Sequence, residues 1–124
     1  MKSNPAPRIV LVVEDEGLVR QMSASELSDA GYEVREAADA REALAILEAA
    51  ECVAVLFTDV NMPGELDGLA LARLVDDRWP RVRLLVTSGG AKVGPADLPN
   101  AGRFIAKPYS LSHMRAVVDE LAAA

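Results

Sequence analysis

The chain has 124 residues, of which 51% are hydrophobic and 26% are charged, and this composition is typical of one globular domain with a sizeable core. Its formal net charge of -6 at pH 7 opposes binding to a phosphate backbone, which depends on clustered Lys and Arg. No apolar run approaches the roughly 20 residues that a membrane-spanning helix needs. These features argue against two full domains, a direct nucleic-acid partner and a membrane segment.

The N-terminus and the only cysteine indicate the cellular compartment in which the protein is expected to work. Residues 1 to 7 lack the apolar segment of a secretory signal and are predicted to be a flexible leader to a domain over residues 8 to 124. A single cysteine, Cys52, cannot form an internal disulfide, which agrees with a reducing compartment. It heads an apolar run and is predicted to be a small core residue. We therefore expect a cytoplasmic protein.

Strand and helix alternate along the first half of the chain. The run Ile9 to Val13 is continuously apolar and mostly β-branched, which favours a strand buried on both faces, as in a parallel sheet. A helix follows and stops at Gly31, and Asp39 caps a second helix after the next strand. The supporting positions are Leu18, Met22 and Leu27 in the first helix, Glu33 to Ala37 in the second strand, and Ala40, Ala43, Leu44 and Leu47 in the second helix.

The second half repeats the alternation. Strands are predicted over Val53 to Phe57, Val82 to Val86 and Arg103 to Ala106. Pro80 closes the helix between the first two of these strands, and Ser110 caps the last helix. The apolar positions of these helices are Leu71, Leu74 and Val75, then Leu111, Met114, Val118 and Leu121.

One stretch, Gly89 to Gly102, resists this pattern. It contains four glycines and two prolines, which disfavour a long helix. Pro99 disfavours helix at Leu98, so Pro95 to Leu98 can form about one turn at most. We predict a largely irregular and mobile segment between the fourth and fifth strands.

The alternation predicts the fold class. Strands that alternate with helices imply a parallel sheet with right-handed crossovers, and apolar strands without a polar side require helices on both faces. We therefore predict a five-stranded α/β sandwich whose helix between the fourth and fifth strands is short or missing. Ligands of such open sheets bind beyond the carboxyl ends of the strands.

The residues at those strand ends are polar. They are Glu14 and Asp15 after the first strand, Asp59 after the third, Thr87 and Ser88 after the fourth, and Lys107 after the fifth. If the first and third strands are neighbours, three carboxylates converge. Two such charges about 6 Å apart at an effective dielectric near 20 repel by about 3 kcal/mol, so the group needs a cation or a protonation shift. Mg²⁺ fits best, because carboxylates, water and phosphate are its usual ligands.

Four spaced motifs carry a family resemblance. The pair Glu14-Asp15, Asp59 followed by Asn61-Met62-Pro63, Thr87, and Lys107-Pro108 together resemble the receiver domain of two-component response regulators. The resemblance runs from about Arg8 to the C-terminus. It implies a flavodoxin-like sheet in the order 2-1-3-4-5 and a signalling module that responds to phosphorylation.

The resemblance also implies a role for each matching residue. Asp59 is the expected phosphoacceptor, which attacks the phosphohistidine of a sensor kinase. Glu14, Asp15 and Asp59 are expected to hold Mg²⁺ together with the backbone carbonyl of Asn61. Lys107 is expected to pair with one phosphoryl oxygen, because phosphoryl transfer depends on positioning and charge neutralisation.

Two further residues are expected to form the switch. By the same resemblance, the Thr87 hydroxyl bonds a second phosphoryl oxygen and reports the modification. Phe104 stands three positions before Lys107, where many receivers carry an aromatic residue that swings inward on phosphorylation. Phe104 is equally compatible with a core position, and it lacks a hydroxyl for a hydrogen-bonded inward state.

The expected partners are proteins. They are a sensor histidine kinase or phosphotransfer protein and a downstream target, and a weak homodimer is left open. The chain is expected to be a stand-alone receiver or a piece of a hybrid kinase, and to catalyse only its own phosphorylation and dephosphorylation at Asp59. One alternative is a Mg²⁺-dependent aspartyl phosphohydrolase, which usually needs a second Asp where this chain has Asn61. The other is a receiver-like binding module that works without phosphorylation.

Overall fold

A computed structural model describes residues 7–49, 52–62, 64, 66–89, 95–99 and 102–123. A parallel sheet of five strands has the order β2-β1-β3-β4-β5, as predicted. The strands are β1 (Ile9–Val13), β2 (Glu33–Ala37), β3 (Val53–Asp59), β4 (Arg83–Ser88) and β5 (Arg103–Ala106). The helices are α1 (Gly17–Asp29), α2 (Ala40–Glu48), α3 (Gly68–Arg78) and α4 (Leu111–Ala123). In the described part of the chain, no helix is long and apolar enough to cross a membrane.

The core lies on both faces of the sheet, because the central strands alternate their buried side chains. Leu11 of β1 packs with α2 and α3 in a first cluster, whereas Val10 and Val12 pack with α4 in a second cluster that includes Leu27 of α1. Helices therefore cover both faces, as the apolar strands predicted. The second cluster also contains Met114 of α4, which is fully buried.

The predicted helix ends are confirmed. The Asp39 side chain accepts the Glu42 N–H at 2.9 Å, and the Ser110 hydroxyl oxygen accepts the His113 N–H at 3.0 Å. Gly31 has a φ of 101° after the last turn of α1, a conformation that favours glycine. These local contacts fix where α1 ends and where α2 and α4 begin.

Two strands extend further toward their carboxyl ends than predicted. β3 ends at Asp59 rather than Phe57, and β4 spans Arg83–Ser88 rather than Val82 to Val86. The backbone explains the difference, because Asp59 pairs with Thr87 in the parallel register. The polar side chains that ended the predicted strands are themselves buried, so the strand ladder continues through them.

Two predictions of burial were wrong. Cys52 is exposed, because the buried part of its run begins at Val53. Leu18 and Met22 are 70% and 48% exposed, whereas Leu27 is buried. A helix turns about 100° per residue, so Leu27 lies about 140° from Met22 around α1, and only one of the two faces meets the sheet.

The segment between β4 and β5 is partly described. Pro95–Asp97 forms a 3₁₀ helix, and Leu98 is buried against the first core cluster. A side-chain nitrogen of Arg73 on α3 donates to the Asp97 carbonyl at 3.4 Å. Residues 90–94 and 100–101 lie outside the described residues, as do residues 1–6 of the predicted leader. The irregular, mobile segment and the flexible leader therefore stay predictions.

Candidate functional site

Three carboxylates meet where β1 and β3 end side by side. Glu14, Asp15 and Asp59 each offer an oxygen, and these oxygens lie within 4.8 Å of one another. Glu14 and Asp59 are buried, and Asp15 is exposed. The Glu14 N–H donates to the Ala37 carbonyl at 3.0 Å, which fixes the chain as it leaves β1. The predicted convergence of the acidic residues is thus present.

Lys107 brings a positive charge into this acidic cluster. Its Nζ donates to Asp59 Oδ2 at 2.8 Å and to Glu14 Oε1 at 3.0 Å. The Lys107 N–H donates to the Ser88 carbonyl at 3.1 Å, which orients the residue as the chain leaves β5. Burial lowers the pKa of Lys107, but the hydrogen bonds to Asp59 and Glu14 outweigh it and raise that pKa above its ordinary value.

The acidic cluster lacks full charge compensation. Burial raises the pKa of Glu14 above its ordinary value; the hydrogen bond from Lys107 lowers it, and the charge of Asp59 raises it further. One ammonium faces three carboxylates, so an additional cation would be electrostatically favoured. Carboxylate oxygens are hard ligands that suit Mg²⁺, and the separation of these oxygens allows one ion to contact all three residues.

The turn after Asp59 is compact. Asp59 Oδ1 accepts the Asn61 N–H at 3.2 Å, so the backbone of Asn61 lies beside the acidic cluster. The Gly68 N–H donates to the Val60 carbonyl at 2.9 Å where α3 begins. A Cβ at Gly68 would lie 1.8 Å from the Asp59 carbonyl oxygen, so only glycine permits this approach.

Thr87 lies beside Asp59 on the neighbouring strand. The Val60 N–H donates to the Thr87 carbonyl at 2.9 Å, which joins the two strand ends. The Thr87 side chain is buried, and in the described part of the chain its Oγ1 has no hydrogen-bond partner. Buried hydroxyls nearly always have a partner, so an unpartnered atom at this position is exceptional.

Phe104 is placed apart from the acidic cluster. It pairs with Val86 in the sheet register, is half-buried and packs against the first core cluster. In this conformation Phe104 occupies a core position, which is one of the two roles that the sequence left open.

Two sets of contacts near the site were missed from the sequence. Arg20 on α1 donates to the Glu14 carbonyl at 2.8 Å and to Glu36 Oε1 at 3.3 Å. The hydroxyls of Ser23 and Tyr109 lie 3.0 Å apart although the residues are 86 positions apart. A basic residue in the helix after an acidic pair was a usable signal for Arg20. No local pattern could have paired Ser23 with Tyr109.

Comparisons with known proteins agree with this geometry. The family model of the response regulator receiver domain matches residues 10–119. The response regulator receiver protein CpdR of Brucella abortus is 30% identical over 90% of this chain and 92% of that protein. The sensor kinase CckA of Brucella abortus is 38% identical over 90% of this chain, which spans only 12% of that protein.

The solved structures show the same fold. A response regulator receiver protein from Sinorhizobium medicae superposes with a TM-score of 0.87 at 23% identity, over 95% of this chain and 96% of that one. Receiver domains are generally signalling modules that bind Mg²⁺ at an acidic pocket, and this chain has the corresponding acidic cluster. With the family match over most of its length, this chain belongs to the receiver domains of two-component response regulators.

Proposed function

We propose that this chain receives a phosphoryl group on Asp59 from a phosphohistidine and signals by the conformational change that follows. The observation that carries the proposal is the setting of Asp59. One of its oxygens is bound by Lys107, its carboxylate adjoins the acidic pair, and an unpartnered buried hydroxyl lies on the next strand. The proposed domain runs from residue 8 to residue 124, after a leader over residues 1 to 7.

In the proposed step a carboxylate oxygen of Asp59 forms a bond to phosphorus. The bond between phosphorus and the imidazole nitrogen of the donor breaks, and the nitrogen keeps that electron pair. Lys107 would pair with one phosphoryl oxygen and Thr87 would donate to another, which orients the group. Mg²⁺ held by Glu14, Asp15, Asp59 and the Asn61 carbonyl would neutralise the charge that collects on the phosphoryl oxygens.

The phosphodonor is proposed to be a sensor histidine kinase or a phosphotransfer protein. Leu18 and Met22 support this, because they are exposed apolar residues on the first turns of α1, directly after the acidic pair. An apolar partner surface docked there would bring its histidine near Asp59. A downstream protein target and a weak homodimer are further proposed partners.

The test is phosphorylation by acetyl phosphate with intact-mass detection. We expect the wild-type chain to gain one phosphoryl group in the presence of Mg²⁺ and none in excess chelator. Asp59→Asn should abolish the gain. Asp67→Asn is the matched control, because Asp67 caps α3 from an exposed position and Asn is an equally good cap.

Three outcomes would contradict the proposal. Labelling of the Asp59→Asn protein would place the phosphoryl group on another residue. An unlabelled wild-type protein, tested with acetyl phosphate and with a phosphorylated histidine donor, would favour a module that works without phosphorylation. Hydrolysis of an added phosphomonoester such as p-nitrophenyl phosphate over many turnovers would instead favour a phosphohydrolase.

A further inference from the structure

We propose that Tyr109 is a positioning residue for Lys107, and that its hydrogen bond to Ser23 holds the loop from which Lys107 reaches Asp59. The proposal rests on the proposed function, because the consequence of a displaced Lys107 is slower phosphoryl transfer. It concerns residues 107 to 110, which join β5 to α4. Because Lys107 begins this loop, the position of its side chain depends on how firmly the loop is held.

The backbone holds this loop weakly. β5 is the edge strand of the sheet, and the Lys107 N–H is bound by Ser88. Pro108 has no N–H, and in the described part of the chain no backbone hydrogen bond fixes the N–H groups of Tyr109 and Ser110. Pro108 and Ser110 are exposed. The Ser110 carbonyl accepts the Met114 N–H at 3.0 Å, which holds the end of the loop to α4. Between Lys107 and Ser110, the half-buried Tyr109 side chain is therefore the main anchor among the described residues.

Tyr109 is anchored twice. Its ring packs edge to face against Phe57, with centroids 5.6 Å apart and an interplanar angle of 70°. Its hydroxyl lies 3.0 Å from the Ser23 hydroxyl, and Ser23 is 1% exposed on α1. Phe57 lies two residues before Asp59 on β3, and α1 follows the acidic pair. Tyr109 thus ties the Lys107 loop to the elements that position its two carboxylate partners.

A purely structural role predicts a different result. If the bond only satisfied the buried Ser23 hydroxyl, its loss would lower the free energy of unfolding and leave the chemistry unchanged. If the bond positions Lys107, its loss slows phosphorylation only while Lys107 is present. The two roles therefore separate in a double-mutant cycle.

The experiment uses Tyr109→Phe, which keeps the ring and its Phe57 contact and removes only the hydroxyl. We expect phosphorylation by acetyl phosphate at saturating Mg²⁺ to slow by about 3- to 10-fold, the range that one hydrogen bond commonly spans, with Mg²⁺ affinity unchanged. In a Lys107→Ala background the same substitution should leave the rate unchanged. Tyr32→Phe, which breaks a bond to the exposed Asp119 of α4, should not alter the rate.

Two further measurements keep the test decisive. Ser23→Ala should slow phosphorylation to the same extent as Tyr109→Phe. The double variant of Ser23→Ala and Tyr109→Phe should be no slower than either single variant. This comparison leaves Lys107 itself unchanged. Amide exchange at Lys107 should quicken in Tyr109→Phe without any phosphodonor. The positioning role would be overturned if Tyr109→Phe left both the phosphorylation rate and the amide exchange at Lys107 unchanged. It would also be overturned if Tyr109→Phe slowed phosphorylation equally in the Lys107→Ala background. If the wild-type chain is not phosphorylated but amide exchange at Lys107 quickens in Tyr109→Phe, only the proposed phosphorylation is rejected.

Discussion

Thr87 shows how a single buried atom can be poised for a ligand. Its hydroxyl is buried beside Asp59 and unpartnered among the described residues. An unsatisfied buried hydroxyl costs about 1 to 3 kcal/mol, and under the proposed function a phosphoryl oxygen on Asp59 would accept from it. A phosphoryl acceptor would remove that cost, which couples modification to stability at this strand end.

A prediction follows for Thr87→Val, which replaces the hydroxyl by a methyl group of similar size. The unphosphorylated protein should gain about 1 kcal/mol in free energy of unfolding, because the unsatisfied group is lost without a large cavity. Urea denaturation measures this. In the wild-type protein we expect phosphorylation, sensed through Thr87, to slow amide exchange along Gly89 to Gly102. Thr87→Val should still be phosphorylated at Asp59, but this change in exchange should disappear. A loss of stability in Thr87→Val would contradict the unsatisfied hydroxyl.

Tyr32 supports a prediction on pH. Burial, followed by the hydrogen bond to Asp119, raises the pKa of Tyr32 to about 12 from an ordinary value of 10.0. Because the folded state holds this proton more tightly, its stabilising contribution is complete below pH 10 and is lost as the pH rises through about 12. Between these values the wild-type protein should lose stability faster than Tyr32→Phe in urea titrations. Parallel curves would contradict the shift.

The site could be predicted from the sequence only where its residues follow strands. Glu14, Asp59 and Lys107 were found because strand ends of a parallel sheet meet at one edge. Their mutual contacts confirm that reasoning. Supports such as the bond between Ser23 and Tyr109 join distant parts of the chain, so they depend on how α1 and α4 pack and not on local spacing.

Between elements, α3 approaches the end of β3 closely at Gly68. A Cβ there would meet the Asp59 carbonyl oxygen at 1.8 Å and the Val60 Cα at 2.9 Å. We predict that Gly68→Ala destabilises the protein by about 3 kcal/mol, because backbone atoms must shift to accept the methyl group. Phosphorylation should also slow, since the backbone that moves carries Asp59.

Gly17→Ala is the matched control for this prediction. A Cβ at Gly17 lies 3.8 Å from its nearest neighbour, the Arg20 guanidinium, and alanine is the better helix former. Its free energy of unfolding should be unchanged or slightly higher in urea denaturation. Equal effects of the two substitutions would show that contact with β3 is not the cause.

The elements themselves were largely predictable, and their ends were less so. The sequence located all five strands, but Thr58 to Asp59 and Thr87 to Ser88 were left out because polar side chains usually end a strand. Here they stay in the ladder because they pair with the neighbouring strands, and their side chains are buried. Leu18 and Met22 were predicted to be buried but are exposed, because apolar residues on an exposed helix face can have the same spacing as those of a core face.

At the scale of the whole molecule, helices on the two opposite faces of the sheet hold different parts of the same site. α2 and α3 pack on one face, where Gly68 fixes the turn after Asp59. α1 and α4 belong to the other, where Tyr109 ties the Lys107 loop to Phe57 and Ser23. A charge change at the carboxyl edge of the sheet can therefore reach either layer, which suits a switch.

The last prediction concerns Mg²⁺ and the stability of the folded chain. The net charge is -6, and the acidic cluster exists only when the chain is folded, so a cation bound there stabilises the native state by mass action. At a free Mg²⁺ concentration about 100 times the Kd, the gain is about 2.7 kcal/mol. For a domain of this size we expect Tm to rise by roughly 5 to 10 °C.

Calorimetry or fluorescence melting with added MgCl₂ measures this rise, and excess chelator should reverse it. NaCl at equal ionic strength should raise Tm far less, because screening acts on all surface charges alike. Combined Asp15→Asn and Asp59→Asn substitutions should raise the initial Tm by easing carboxylate repulsion and should remove most of the Mg²⁺ response. An equal Mg²⁺ response in that variant would show that the ion binds elsewhere on the acidic surface, and the acidic cluster would then lose its assignment as the metal centre.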